Sequence, residues 1–343
     1  MRALIIGGTR FIGPYVARAL NSAGHSVTLF HRGQTAAELP SSVGHINGER
    51  GNLLAFADEF KQLAPQVVLD MICYNEHEAQ TLMQTFRGLV ARVVVASSMD
   101  VDRAYGGLLG LEAGPPATVP FSEDSPLRTA LYPYRGGVKE PNDFAFNYEK
   151  ILVERTVMSD AQLPGTILRL PAVYGPGDRS HRAFEVLKRI DDGRRVILLG
   201  ERQAQWRWTR GYVENVADAI ALAVTDERAT GRIYNVGEAH ALSEAEWARA
   251  IGDAAGWQGE IVTVPDEELP AHLRAPYQYE HHLVGDTRRI RAELGYTERL
   301  APSDALDATI AWERANPPEE IDAERFDYTA EDAALAELEP HGD

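Results

Sequence analysis

Residues 7–13 read Gly7-Gly8-Thr9-Arg10-Phe11-Ile12-Gly13, and what stands on either side of them decides the fold. Before them lies Ala3-Leu4-Ile5-Ile6, a short apolar run of strand character. After them, Ile12–Ser22 has the spacing of an amphipathic helix and stops at Gly24, a natural C-cap. A strand, a glycine turn and a helix in immediate succession are the context in which a dinucleotide fingerprint carries meaning. Glycines let the backbone approach a pyrophosphate, whose charge is met by the free N–H groups of the helix N-terminus. Gly7 and Gly13 hold the outer positions of a Gly-x-x-Gly-x-x-Gly spacing, and Arg10 replaces the middle glycine. The expected contacts are Gly7, Thr9, Arg10, Phe11, Ile12 and Gly13. A tight turn that binds nothing is the plainer alternative.

Outward from the turn, apolar runs recur at Val27–Phe30, Val67–Ile72, Val93–Ala96 and Thr166–Leu170, with amphipathic segments between them. They are continuously apolar rather than alternating, the pattern of parallel strands buried on both faces. The expectation is an α/β protein, a doubly wound parallel sheet (Rossmann fold) with a smaller, mixed α/β substrate-binding domain. The first domain takes residues 1–175 and 211–238, and the second 176–210 and 239–315. Gly211–Ala223 reads as a strand running into a helix, Ile233–Val236 as one more strand, and Ser243–Gly256 as a helix with Ser243 and Glu246 as a capping box. Residues 316–343 form an acidic tail, packed as a peripheral helix or frayed.

A net charge of −17 opposes nucleic acid or an anionic membrane as the main partner, since both are polyanions. One cysteine, Cys73, allows no internal disulfide and fits a reducing cytoplasm. No leader pattern opens the chain and no apolar run approaches the ~20 residues of a membrane span. No metal site is expected: His281-His282 is an adjacent pair whose rings point apart.

The end of the second strand bears on cofactor choice. An acid there would hydrogen-bond the adenosine ribose of NAD, whereas an arginine pairs with the extra phosphate of NADP. Here Phe30-His31-Arg32-Gly33 has no acid, so Arg32, helped by Arg10, favours NADP over NAD, unless Arg32 is merely solvated.

With Phe11-Ile12-Gly13 in the turn, the sequence resembles the extended short-chain dehydrogenase/reductase superfamily, in its branch of NAD-dependent epimerases and dehydratases acting on nucleotide sugars. Ser97-Ser98 resembles the family's Ser/Thr segment, and Glu123-Asp124-Ser125-Pro126 the acidic-proline stretch that follows. Lys150 and Glu154 fit its Tyr-x-x-x-Lys-x-x-x-Glu helix. Arg169–Pro176 matches its Arg-x-x-x-Val-Tyr-Gly-Pro, and Arg210-Gly211-Tyr212-Val213 its Arg-Asp-Tyr/Phe-Val. Tyr234–Gly237 and Asp286 complete the order. The resemblance implies that Ser98 binds a substrate oxygen, that Lys150 binds the nicotinamide ribose, that Arg210 grips substrate phosphate, and that the protein is a homodimer.

Two departures stand out. The family's tyrosine, four residues before the lysine, is Phe146 here, which has no proton to give. Tyr148 is two residues from Lys150, roughly 200° around a regular helix, and can serve only where the helix begins late or the backbone is irregular. Tyr132, Tyr134 and Tyr105 are the other phenols at hand, and Asp100 stands where some dehydratases carry an acid. Secondly, the turn with Arg10 resembles a divergent subgroup that includes chloroplast stem-loop-binding proteins.

Gln205-Trp206-Arg207-Trp208-Thr209-Arg210 alternates aromatics with arginines, suiting a planar or phosphorylated ligand as well as a half-buried strand. Arg207 and Arg210 are its candidate contacts. The leading expectation is reversible hydride transfer on a nucleotide-linked or other anionic sugar, using Ser98, Tyr148 and Lys150. Its rivals are a catalytically silent NAD(P)-binding sensor or macromolecule-binding protein, and a reductase of a small secondary metabolite.

Overall fold

The computed structural model describes residues 1–138, 140 and 143–338. Seven strands form the main sheet: β1 (Arg2–Ile6), β2 (Ser26–His31), β3 (Gly44–Asn47), β4 (Val67–Asp70), β5 (Arg92–Ser98), β6 (Gly165–Leu170) and, last in the chain, β10 (Ile233–Asn235). Their order is β10-β6-β5-β4-β1-β2-β3, and every pairing is parallel. The order reverses direction between β1 and β4, which opens a crevice above their carboxyl ends.

The continuously apolar runs are continuously buried. Ala3–Ile6, Val67–Asp70 and Val93–Ala96 are each at most 5% exposed. One face packs on the helices Ile12–Ser22 and Val213–Thr225 through Val16, Leu20, Val216 and Ile220; the other packs on Glu76–Phe86 and Lys150–Met158 through Leu82, Phe86, Val153 and Val157. The first helix ends as read, with Gly24 at φ 82°. β4 stops two residues short of the expected Ile72, because Asp70 Oδ1 takes the Ile72 N–H at 2.9 Å and turns the chain. β3 was not anticipated: Gly44-His45-Ile46-Asn47 buries only Ile46 at the sheet edge and has no apolar run to announce it.

Beyond β6, two small parallel pairs appear: β7 (Ala172–Tyr174) beside β9 (Arg210–Tyr212), and β8 (Val196–Gly200) beside β11 (Glu260–Val264). β9 runs directly into the helix Val213–Thr225, and Ser243 and Glu246 make the expected capping box for the helix Glu244–Ala254. The acidic tail does not fray through residue 338. Its helix Tyr328–Leu338 is fastened by a buried ion pair, Arg189–Glu331 at 2.8 Å; residues 339–343 lie outside the described residues. No helix among the described residues is long and apolar enough to cross a membrane.

Candidate active site

The glycine turn is shaped by contacts only glycine permits. Gly7 and Gly8 have φ of 87° and 84°, and a Cβ on Gly13 would come within 2.3 Å of the Gly8 Cα. The helix therefore starts flush against the turn. Gly8, absent from the spacing first considered, is its second partner. The helix has no side-chain cap and no acid in its first turn, and the Gly13 N–H is held by the Arg10 carbonyl at 3.0 Å, so no side chain among the described residues competes for the N-terminal N–H groups. They face a cavity of about 720 Å³ above the carboxyl ends of β1 to β4, lined by the whole turn, Phe30–Thr35, Gly48–Gly51 and Tyr74. These features fit a dinucleotide pyrophosphate. Arg10 and Arg32 are exposed on the cavity; Arg10 Nε donates to Thr35 Oγ1 at 3.2 Å. At its floor Arg50 pairs with Asp70 at 2.5 Å.

The decisive irregularity lies before Lys150. A short helix, Phe144–Asn147, ends, Tyr148 and Glu149 are extended (ψ 120° and 94°), and a new helix begins at Lys150. Glu149 caps it, accepting from the Ile151 N–H at 2.8 Å. The same carboxylate accepts from the Tyr132 N–H (2.6 Å) and pairs with Arg128 at 3.1 Å, both side chains fully buried. Arg128 Nε also donates to the Asp100 carbonyl at 2.5 Å. Arg128 and Glu149, which the sequence reading missed, thus hold the break open.

The break brings Tyr148 inward. Its hydroxyl donates to Asp100 Oδ2 at 2.8 Å, and its ring centroid lies 5.7 Å from Lys150 Nζ. Phe146 is directed elsewhere, its ring 4.6 Å from the Arg135 guanidinium. Tyr134 donates to the same Oδ2 at 3.0 Å, and Tyr105 donates to Tyr134 at 3.0 Å. Tyr132 stands apart beneath Arg135. Lys150 is buried, and its Nζ donates to the carbonyls of Cys73 (2.7 Å) and Ala96 (2.8 Å). It is no surface partner of Glu154, which instead holds Arg169 at 2.8 Å and Ser97 at 2.6 Å. Ser98 caps the following turn, its Oγ accepting from the Asp100 N–H at 3.2 Å.

Burial sets the titration of this cluster. It raises the Asp100 carboxyl, against the opposing pull of Arg128 and the two phenols, and Asp100 Oδ1 has no partner among the described residues. Burial also raises the Tyr148 phenol, and the facing Asp100 adds to the rise while Ser98 opposes it. Tyr105 is pushed up to about 12, chiefly by burial. Lys150 is lowered by burial, against the attraction of nearby acids.

The arginine pair meets a different fate. Arg210 is buried, paired with Glu244, and its guanidinium lies 4.6 Å from the Trp247 ring centroid. Arg207 is exposed, donates to the Ala241 carbonyl at 2.9 Å and pairs with Glu246 at 3.2 Å. Both cations are occupied by acids of the chain. Their tryptophans line up instead with the tyrosine cluster: Trp206 and Trp208 pack with Met99, Tyr105 and Tyr279.

A parallel sheet whose strand order reverses between β1 and β4, with a glycine turn and a helix N-terminus free of side-chain caps over that crevice, defines a Rossmann-type dinucleotide-binding protein. Bordetella bronchiseptica WbmG, solved in complex with NAD, has this fold: 18% identity, TM-score 0.67, covering 92% of this chain and 94% of that one. The chain belongs to the NAD dependent epimerase/dehydratase family, whose model matches residues 3–237. The 2'-dehydrokanamycin reductase of Streptomyces kanamyceticus is 28% identical over 312 residues, 88% of this chain and 80% of that protein. The dTDP-glucose 4,6-dehydratase of Streptomyces griseus is 26% identical over 339 residues, 90% and 93% of the two chains.

Proposed function

We propose that this chain moves hydride between a nicotinamide dinucleotide and a carbinol or carbonyl carbon of a sugar, with Tyr148 as acid and base in place of the tyrosine missing at 146. One observation carries the reading: the helix break brings the Tyr148 phenol beside Lys150 and onto Asp100. In this reading Gly7, Thr9, Arg10, Phe11, Ile12 and Gly13 hold the pyrophosphate, Lys150 the nicotinamide ribose, and Arg32 the 2'-phosphate that makes NADP the preferred cofactor over NAD. The nicotinamide, when bound, supplies or accepts the hydride. Ser98 orients the substrate oxygen, and Tyr148 gives or takes its proton. Residues 1–175 and 211–238 carry the cofactor, and 176–210 and 239–315 shape the substrate pocket.

The family and its dTDP-glucose dehydratase member support a nucleotide-linked or other anionic sugar. A second reading, reduction of a sugar not carried on a nucleotide, is favoured by the pairing of Arg210 with Glu244, which already balances that arginine's charge. The relative that is a 2'-dehydrokanamycin reductase supports it too. The test is a panel of dTDP-glucose, UDP-glucose and 2'-dehydrokanamycin with each nicotinamide in either redox state, followed by absorbance and product mass. Conversion of a nucleotide sugar selects the first reading and of the aminoglycoside ketone the second. No hydride exchange with any nucleotide or sugar moves the chain to a silent binder.

A further inference from the structure

Three hydrogen bonds join end to end in this site. Tyr105 donates to Tyr134 (3.0 Å), Tyr134 donates to Asp100 Oδ2 (3.0 Å), and Tyr148 donates to the same oxygen (2.8 Å). Tyr148 and Asp100 are buried, 8% and 7% exposed, whereas Tyr134 and Tyr105 are only partly buried. The chain therefore runs from the innermost phenol to the surface. We infer that Tyr105, Tyr134 and Asp100 form a proton relay that recharges Tyr148 from solvent, and that the site is built for net reduction of a carbonyl. This rests on the reading of Tyr148 as the acid.

The inference follows from where protons must go. Epimerisation and dehydration return each proton to the group that took it, whereas reduction of a carbonyl consumes one proton per turnover and a buried acid must be refilled. When the Tyr148 O–H bond breaks and its proton joins the substrate oxygen, a phenolate remains. Tyr134 passes its proton to Asp100 Oδ2, which hands it on to that phenolate, Tyr105 refills Tyr134, and water refills Tyr105. One proton enters and one leaves for the product. Lys150 is not a link of this chain: its Nζ donates to the carbonyls of Cys73 and Ala96 and makes no hydrogen bond to Tyr148 among the described residues. The other charges against this chain are Arg128, on the Asp100 carbonyl, which favours the ionised carboxylate, and Glu149, which pairs with Arg128. Asp100 Oδ1, buried and without a partner among the described residues, is consistent with a carboxyl that spends time protonated.

The test needs neither cofactor nor substrate. The infrared C=O band of a protonated buried carboxyl shifts on transfer to D₂O as its proton exchanges. In the protein alone at mildly acid pH, one such band is expected, assigned by its loss in Asp100→Asn, and its exchange should slow by about tenfold or more in Tyr134→Phe, the change expected for about 1.4 kcal/mol added to the barrier. Melting curves confirm that both variants are folded; a variant that fails to fold is replaced by Tyr105→Phe, which breaks the next link and should slow exchange likewise. No carboxyl band lost in Asp100→Asn, or exchange in Tyr134→Phe as fast as in the wild type, overturns the relay. The panel described above separates the two claims: slow exchange in a protein that moves no hydride defeats the functional reading, and fast exchange in an active protein defeats the relay alone.

Discussion

Tyr148 Oη sits 2.8 Å from Asp100 Oδ2, though 48 residues separate the two along the chain. One end of that bond is set by the turn after β5 and the other by the interrupted helix before Lys150. Substitution at the phenol is the direct probe of the site. Tyr148→Phe should lower turnover by ~10²–10⁴-fold, the usual loss for a general acid or base. Calorimetry should show cofactor affinity nearly unchanged, because the lost oxygen is remote from the pyrophosphate turn. Unaltered turnover would falsify the assignment.

Cofactor preference is expected to follow Arg32. Wild type should bind NADP(H) more tightly than NAD(H), and Arg32→Ala should erase a difference of about 1.5–3 kcal/mol, the worth of a charge-assisted contact. Equal titrations of both nucleotides against the wild type would sink this expectation.

The break itself depends on a buried ion pair. Glu149→Ala leaves the Arg128 guanidinium, fully buried, without its partner. It also removes the cap of the helix that begins at Lys150. Urea denaturation should report a loss of about 3–5 kcal/mol, typical when one member of a buried pair is removed. A loss under about 1 kcal/mol, the range of exposed pairs, would mean that the pair does not anchor the break.

Stability should depend on pH through Asp102. Its buried carboxyl is raised to about 6 by desolvation, its Oδ1 accepts from the Ala104 N–H at 2.8 Å, and its Oδ2 has no partner among the described residues. The unfolded value is ~3.9, so between these limits the folded state binds more protons than the unfolded one. Its contribution is fully present below about pH 4 and is lost as pH rises through about 6, a change on the order of 3 kcal/mol. Asp102→Asn keeps the cap and removes the charge. The stability of the variant relative to wild type should therefore grow from pH 4 to about pH 7 in paired urea melts. A constant difference across that range would contradict the shift.

Arg210 offers a prediction that divides the two substrate readings. Because it is buried against Glu244 and Trp247, Arg210→Ala should lower the melting temperature by itself, at a cost of about 1–3 kcal/mol for a broken charged hydrogen bond. The rise produced by a nucleoside diphosphate should be the same in variant and wild type. A rise that shrinks in the variant would restore this arginine to the phosphate site.

Much of the frame was legible because buried parallel strands carry their burial in their composition: β1 and β5 hold the unbroken apolar runs Ala3–Ile6 and Val93–Ala96, and β2 and β6 are apolar at about half of their positions. β3 was not, since an edge strand with one buried residue leaves no such trace. The glycine turn was legible because the backbone needs φ above zero at Gly7 and Gly8, which the residue type itself reveals. The partnership of Gly8 with Gly13 was less so, being a matter of closeness across the turn. The roles open to Tyr148 turned on a local backbone break, and that break is made by Arg128, 21 residues upstream of Glu149. Spacing arguments see only neighbours along a helix. Likewise, the charges of Arg207 and Arg210 were plain in the sequence, but Glu246 and Glu244, their partners, follow from the docking of a later helix.

The two extended residues between Asn147 and Lys150 act as a phase shifter. A continuous helix ties side-chain direction to sequence distance, so residues three or four before the lysine share its face and one two before it does not. Two residues of extended backbone cancel that arithmetic and let a position two before the lysine point into the same space. An active-site group can then migrate along the sequence while standing still in the fold. Family members scored as lacking their tyrosine by a fixed column of an alignment are worth searching for a phenol beside a helix that starts late.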